Sequence, residues 1–245
     1  MTNFADKFEH NAVLQLRKLN RAIDLYCKDI FRKNKLIRYV RSDNGYGMMQ
    51  PMALYNFSEI AFTHLKPIIG VENISMFTIA VDTFNFGKDN WDFNYPLFRK
   101  EIKKILKGYD YIANVALDEF PRGRYFDEGI LMTPHIHGIF FRPLTRWEKG
   151  KISIKIKKHF PEYRIRPFVV REKFDLKSAI QYSFKALYGG KTTYSGTCGK
   201  NIETPYRNLF INFLHLKALK IYDCAFAGGK GIEVLNNIIS DIKTN

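Results

Sequence analysis

Four segments rich in β-branched and aromatic residues, separated by helix-like segments, constrain the fold of this chain more than any other feature. A stretch of Pro, Arg, Gly, Asp and Glu separates the second segment from the third, which is typical of a hairpin connection. A basic amphipathic segment with a helical pattern, Phe98–Lys107, precedes the second strand-like segment. The sequence therefore predicts an α+β fold with a central antiparallel sheet flanked by helices. The predicted strands are Ile74–Phe84, Tyr109–Phe120, Ile130–Phe141 and Tyr163–Glu172.

The regions on either side of these strands have helical patterns. Residues 1–70 begin with apolar side chains at helical spacing, interrupted by a Gly-rich passage at Ser42–Pro51, and we predict a mainly helical N-terminal extension. Residues 71–190, which contain the four predicted strands, form the predicted core domain. Residues 191–245 include a predicted helix at Thr204–Lys220, and we predict that they form a helical tail packed on this domain. The segment after Leu144 fits either a strand or a helix, and we favour a helix. The absence of a signal-like start and of a membrane-length apolar run predicts a cytoplasmic protein without a membrane partner.

The charge of the chain predicts a polyanionic partner. Thirty-nine Lys and Arg against 24 Asp and Glu give a formal charge of +15. The first 42 residues carry ten basic and four acidic side chains, and Arg142–Lys173 carries eleven and three. Charge alone does not distinguish an enzyme from a binding protein. The candidate DNA-binding residues of the second region are Lys151, Lys155, Lys157 and Lys158.

The pair His135 and His137 is the sharpest candidate site. Residues i and i+2 of a strand point to the same face, so both imidazoles project together and offer half of a divalent metal site. Two imidazoles are usually joined by a carboxylate. Asp118 and Glu119 in the preceding strand are both candidates, and they face opposite sides of it. Periodicity alone does not choose between them.

Tyr182 is a candidate nucleophile. It lies on a predicted helix that begins after an N-cap at Asp175 and continues to Leu187. On a helical wheel Tyr182 falls roughly opposite the apolar stripe, and Lys185 lies one turn further on. A nearby ammonium favours the phenolate and can hold a phosphate oxygen. The apolar stripe consists of Leu176, Ile180, Phe184 and Leu187.

Taken in order, the segments FTIAVDT, an acidic strand, PHIHGIFF and YSFK resemble the motifs of HUH endonucleases. These enzymes are rolling-circle replication initiators, relaxases and related transposases. The resemblance covers about Ile74 to Leu187, and its specific parts are the histidine pair and YSFK. It implies an HUH-like sheet and a metal-dependent enzyme that nicks and rejoins single-stranded DNA through a 5′-phosphotyrosine. By this resemblance His135 and His137 are metal ligands, Tyr182 is the nucleophile and Lys185 positions phosphate or metal-bound water.

The resemblance also selects an acidic ligand and a cofactor. The family's acidic ligand usually lies on the strand before the histidines, often followed by an aromatic residue, and Glu119-Phe120 is similar to that pattern. It therefore implies Glu119 rather than Asp118. It further implies Mn²⁺ or Mg²⁺ as cofactor, single-stranded or hairpin DNA as substrate, and a host replication helicase as a candidate partner. The main alternative is a non-catalytic DNA-binding protein on the same fold, such as an origin binder or autorepressor. A second alternative is an RNA-binding protein, which explains the charge but leaves the histidine pair and YSFK as coincidence. The sequence leaves the oligomeric state and the target sequence open.

Overall fold

A computed structural model describes residues 4–42, 46–71, 74–87, 91–121, 130–184, 189–191, 201–202 and 204–244. It confirms the predicted α+β class, because helices flank a central sheet whose long strands are antiparallel. The helices are α1 Phe4–Tyr26, α2 Ile30–Arg41, α3 Pro51–Ile69, α4 Tyr95–Ile105, α5 Arg146–His159, α6 Leu176–Ser183, α7 Tyr206–Leu216, α8 Ile221–Cys224 and α9 Gly231–Thr244. The strands are β1 Ile74–Val81, β2 Phe86–Gly87, β3 Tyr111–Pro121, β4 Ile130–Phe140, β5 Tyr163–Phe174, β6 Gly189–Lys191, β7 Asn201–Ile202 and β8 Ala225–Gly228.

The long strands lie in the order β5-β1-β4-β3. The predicted hairpin is confirmed, since β3 and β4 pair antiparallel from Tyr111 opposite Phe140 to Pro121 opposite Ile130. Short strands extend the sheet: β8 and β6 pair with β3, and β2 pairs with β4. Gly138 has no side chain, which lets the Phe77 ring pack directly against β4. A Cβ atom at this position would lie only 2.5 Å from that ring. The centre of the sheet is therefore tightly packed around the histidine strand.

Local signals explain several helix boundaries. The ambiguous segment after Leu144 is helix α5, which begins with a capping box in which Thr145 and Glu148 bond to each other's backbone N–H groups. Helix α4 begins at Tyr95, because the Asn94 side chain accepts a hydrogen bond from the backbone of Leu97.

The N-terminal helices share one hydrophobic core with the sheet. Leu19 of α1 and Phe57 of α3 are completely buried, and they belong to the same cluster as Ile136 of β4. The Phe57 ring lies 4.7 Å from the ring of Phe184, just past α6. Helices α1 and α3 therefore help to fix α6, which carries Tyr182, against the sheet. No helix in the described ranges is long and apolar enough to span a bilayer.

Candidate functional site

The two histidines of β4 converge on one face of the sheet, as the alternation of a strand predicts. The Nε2 atoms of His135 and His137 lie 2.9 Å apart. Their ring centroids are 4.6 Å apart, with the ring planes at 83°. Both residues are buried, with 5% and 3% of their surfaces exposed. The two imidazoles are thus held in fixed orientations with their outer nitrogens facing each other.

Hydrogen bonds at the inner nitrogens bear on the tautomer of each ring. Nδ1 of His135 lies 3.3 Å from the carbonyl oxygen of Thr133, which can only accept, so Nδ1 carries the proton and a neutral His135 has its lone pair on Nε2. Nδ1 of His137 lies 3.0 Å from the hydroxyl of Thr78 on β1, which can accept from that nitrogen or donate to it. If His137 accepts from Thr78, its Nε2 carries a proton and donates across 2.9 Å to His135. If both Nδ1 atoms donate, both Nε2 lone pairs face each other, an arrangement that a cation between them would favour.

The strand register corrects the choice of acidic ligand. Asp118 pairs with Thr133, two residues from His135 along β4, so Asp118 lies on the face of the histidines. Its Oδ2 atom is 3.8 Å from Nε2 of His135. Glu119 pairs with Met132 and therefore points to the opposite face. The sequence-based selection of Glu119 fails because the resemblance carries no information about register.

Glu119 instead takes part in a buried contact away from the histidines. It is 1% exposed, and its carboxylate accepts a hydrogen bond from the side-chain amide of Asn212 on α7. Asn212 is completely buried. This pair joins β3 to α7.

Tyr182 lies against the histidine pair. Its ring centroid is 4.7 Å from that of His137, with the planes at 70°, and the residue is half-buried. The predicted N-cap is present, since the Asp175 side chain accepts from the backbone of Ser178. The apolar side of α6 is buried at Leu176, Ile180 and Phe184. The packing stripe thus anchors the helix while Tyr182 faces the site.

Helix α6 ends at Ser183, and residues 185–188 lie outside the described residues. With the described Phe184 as its C-cap, the helix ends before the predicted end at Leu187. Lys185, the predicted phosphate- or water-positioning residue, is among the residues outside the described ranges. The carbonyl oxygen of Ser183 accepts a 3.3 Å hydrogen bond from the side chain of Asn114, which pairs with His137 across the hairpin. The end of the helix is thereby tied to the strand beside the histidines.

The four lysines of α5, Lys151, Lys155, Lys157 and Lys158, are called here the α5 lysine set. Helix α5 contacts α4 and the edge strand β5, whereas α6 contacts β4 and β1. Phe98 of α4 joins a ring cluster with Phe93 and Phe86, and Phe86 pairs with Met132 on the face opposite the histidines. The structure therefore places the α5 lysine set away from the histidine pair, on helices that cover the other face of the sheet.

The members of the α5 lysine set also differ in their surroundings. Lys155 is half-buried, with Nζ 3.5 Å from the backbone oxygen of Ile105. Nζ of Lys151 lies 4.8 Å from the centre of the Trp147 ring. Lys151, Lys157 and Lys158 have exposed surfaces, so these three are the members best placed to contact a nucleic acid.

The two histidines are placed to bind one divalent ion, whereas Asp118 is slightly too far from them. Nε2 atoms 2.9 Å apart match the separation of about 3.0 Å expected for adjacent ligands with bonds of about 2.1 Å. The Asp118 oxygen at 3.8 Å from His135 is farther than such a separation and would need to rotate inward. Accordingly, no three His, Cys, Asp or Glu side chains in the described part of the chain are already arranged as a metal-binding group.

Sequence reasoning missed two residues that shape this site, Thr78 and Asn114. Thr78 lies in FTIAVDT, but only the pairing of β1 with β4, which sets it opposite His137, reveals its contact. Comparisons with known proteins add nothing to the geometry: no protein family, curated protein or solved structure matches the chain.

Proposed function

We propose that this protein is a metal-dependent endonuclease of the HUH kind that nicks and rejoins single-stranded DNA, initiating rolling-circle replication or mobilisation in the cytoplasm. One observation carries the proposal: the ring of Tyr182 lies against the ring of His137, whose Nε2 atom is 2.9 Å from that of His135. Asp118 lies on the same face, with Oδ2 3.8 Å from Nε2 of His135. A potential nucleophile and a potential metal site thus come from separate elements to the same place. Their juxtaposition supports phosphoryl transfer better than it supports a purely structural histidine pair.

His135, His137 and Asp118 are the residues that would hold Mn²⁺ or Mg²⁺. Imidazole and carboxylate ligands together suit these ions. When bound, such an ion polarises a non-bridging oxygen of the scissile phosphate. The chain's own contribution is orientation, because Thr78 and the backbone of Thr133 fix the two rings through their Nδ1 atoms.

The proposed reaction is a transesterification at Tyr182. Its Oη atom attacks the phosphorus, a tyrosyl–phosphate bond forms and the bond from phosphorus to the 3′-oxygen breaks. The phenolic proton ends on that 3′-oxygen, so the products are a 5′-phosphotyrosine and a free 3′-hydroxyl. Because one phosphate ester replaces another, the reverse reaction can rejoin strands. Contact with His137 and the burial of Ile180 and Phe184 hold Tyr182 in one position, which an in-line attack requires.

The substrate is proposed to be single-stranded or hairpin DNA. A charge of +15 favours a nucleic acid, and the exposed members of the α5 lysine set are proposed to contact its backbone beyond the reacting phosphate. Lys185, which the resemblance assigns to phosphate or metal-bound water, keeps that proposed role. A host replication helicase is the proposed protein partner.

Covalent trapping tests the proposal. The full chain is incubated with Mn²⁺ and a pool of random-sequence single-stranded oligonucleotides labelled at their 3′ ends, the ends that a 5′-phosphotyrosine retains. We expect a labelled species that resists denaturant and disappears with protease. Tyr182→Phe, which keeps the ring but removes the attacking oxygen, should form none. Tyr206→Phe is the matched control, because Tyr206 is an exposed tyrosine on α7, and it should form the adduct normally.

Two results would contradict the proposal. An adduct that persists in Tyr182→Phe would assign the chemistry to another residue. A wild-type protein that binds the pool in the presence of Mn²⁺ and forms no adduct would be a non-catalytic DNA-binding protein, the alternative on the same fold.

A further inference from the structure

Helix α2 presents a basic, acid-free surface. From Ile30 to Arg41 the helix carries five basic residues and no acidic one. On a helical wheel one side collects five outward residues, defined here as the α2 outer face. Each of them is exposed, and the aromatic one, Phe31, has 85% of its surface exposed. The α2 outer face consists of Phe31, Asn34, Lys35, Arg38 and Arg41.

The opposite side anchors this helix in the protein. Leu36 and Val40 are buried in the common core. The N-terminus is fixed by Asp29, whose side chain accepts a hydrogen bond from the backbone of Arg32 at 2.8 Å. A three-residue connection joins α2 to α1. The outer face is therefore a preformed surface on a rigid element, which lowers the entropy cost of binding a partner.

The cations of this face are not neutralised by neighbours. Lys33, which lies toward the body of the protein, bonds to Asp24 at 3.0 Å. In contrast, Lys35, Arg38 and Arg41 form no ion pair with any residue that the structure describes. Three unpaired cations on one side of a helix create a positive field that attracts a polyanion.

The shape and composition of the face favour duplex DNA among polyanions. A helix with its side chains is about 10–12 Å across, which matches the major groove at about 12 Å. A single strand is usually held by a series of aromatic side chains, whereas this face has one. Membrane binding needs an apolar side that runs along the helix, but Leu36 and Val40 of α2 are buried and its exposed large apolar residues, Ile30 and Phe31, lie only at its start. Asn and Arg are also the side chains that read adenine and guanine edges in the major groove.

We propose that the α2 outer face is a double-stranded DNA-binding surface that docks in the major groove. This surface is separate from the proposed nicking site, which acts on a single strand at the β4 histidines. The proposal for α2 does not depend on that site. Lys35, Arg38 and Arg41 contact phosphates or guanine edges, and Phe31 contacts the groove wall. In a protein with both surfaces, α2 would hold flanking duplex while a neighbouring single strand is processed.

Salt-dependent binding of the full chain to a short mixed-sequence duplex tests this surface. Anisotropy is measured in EDTA, so that divalent metal and nicking play no part. Each phosphate contact contributes about 0.9 to the slope of log K against log salt, so Lys35→Gln/Arg38→Gln/Arg41→Gln should reduce the slope by up to about 2.7, the value if all three contact phosphates. Phe31→Ala should weaken binding and leave the slope unchanged. All these side chains are exposed, so thermal melting should stay near wild type.

A triple variant with the same change of charge elsewhere is the control. Lys66→Gln/Lys230→Gln/Lys243→Gln alters exposed lysines on other parts of the surface and should lower the slope far less. Equal slopes for the two triple variants would overturn the proposal. It would also be overturned if the α2 variant lost binding to a single strand or to anionic phosphatidylserine vesicles instead of the duplex. Adduct formation on single strands is measured separately, so failure of α2 binding and failure of the nuclease are distinguishable.

Discussion

Asp118 and Glu119 point to opposite faces of β3, so replacing each of them separately by Ala shows which carboxylate contributes to Mn²⁺ binding. Loss of a residue that merely orients a metal ligand costs about 10–100-fold in metal affinity. Loss of a ligand itself should lower metal affinity by at least the upper limit of this range. We therefore expect Asp118→Ala to weaken Mn²⁺ binding by about a hundredfold or more. Glu119→Ala should leave Mn²⁺ affinity near wild type, because its side chain faces away from the histidines.

Glu119→Ala should instead lower stability. It leaves the completely buried amide of Asn212 without its carboxylate acceptor, and an unsatisfied buried polar group costs about 1–3 kcal/mol. In a protein of this size each kcal/mol lowers the melting temperature by about 2–4 °C. The expected decrease without metal is therefore about 2–12 °C, larger than that of Asp118→Ala.

Thermal melting with and without Mn²⁺ measures both effects. At a hundred times the wild-type Kd the ion should stabilise the wild type by about 2.7 kcal/mol, or about 5–11 °C. With a Kd raised a hundredfold, Asp118→Ala should gain only about 0.4 kcal/mol at the same Mn²⁺ concentration. Titration calorimetry gives the affinities directly. If Asp118→Ala keeps most of the Mn²⁺-induced shift while Glu119→Ala loses it, the assignment from register is refuted.

Three further predictions concern Thr78 at the histidine pair, the α5 lysine set and the start of α5. Thr78→Val removes the hydroxyl beside Nδ1 of His137 at nearly constant volume, so calorimetry should show Mn²⁺ affinity falling about 10–100-fold, with recovery in Thr78→Ser; an unchanged affinity would exclude the orienting role. Replacing the three exposed members of the α5 lysine set by Gln should lower the salt slope for single-stranded DNA by about 2, at about 0.7 per contact, whereas an unaltered slope would remove the set from the interface. Arg142 and then Thr145 hold the pKa of Glu148 at about 2, below its ordinary value of 4.5, so the stability that its charge adds is present above pH 4.5 and lost toward pH 2. In urea unfolding, Glu148→Gln should therefore be less stable than the wild type near neutral pH and equal to it near pH 2; a difference independent of pH would contradict this reasoning.

Local patterns were sufficient to predict much of the fold. The period of two in a strand places His135 and His137 on one face regardless of what surrounds them. Asp175 and the pair Thr145 and Glu148 mark helix starts, because a cap needs only atoms within three residues of itself. The hairpin of β3 and β4 was predictable for a related reason, since two strand-like segments separated by a turn-rich stretch pair readily.

Which side chains meet across the sheet depended on the tertiary structure. A slip of one residue in the β3–β4 pairing would exchange Asp118 and Glu119 between faces, and no local pattern fixes that register. Thr78 reaches His137, 59 residues away in sequence, only because β1 pairs with β4. Tyr182 meets the same ring because the buried side of α6 docks against the sheet and the N-terminal helices. The sequence by itself determined the residue types and the faces of single elements, whereas the site required contacts between distant segments, which only packing of the whole chain fixes.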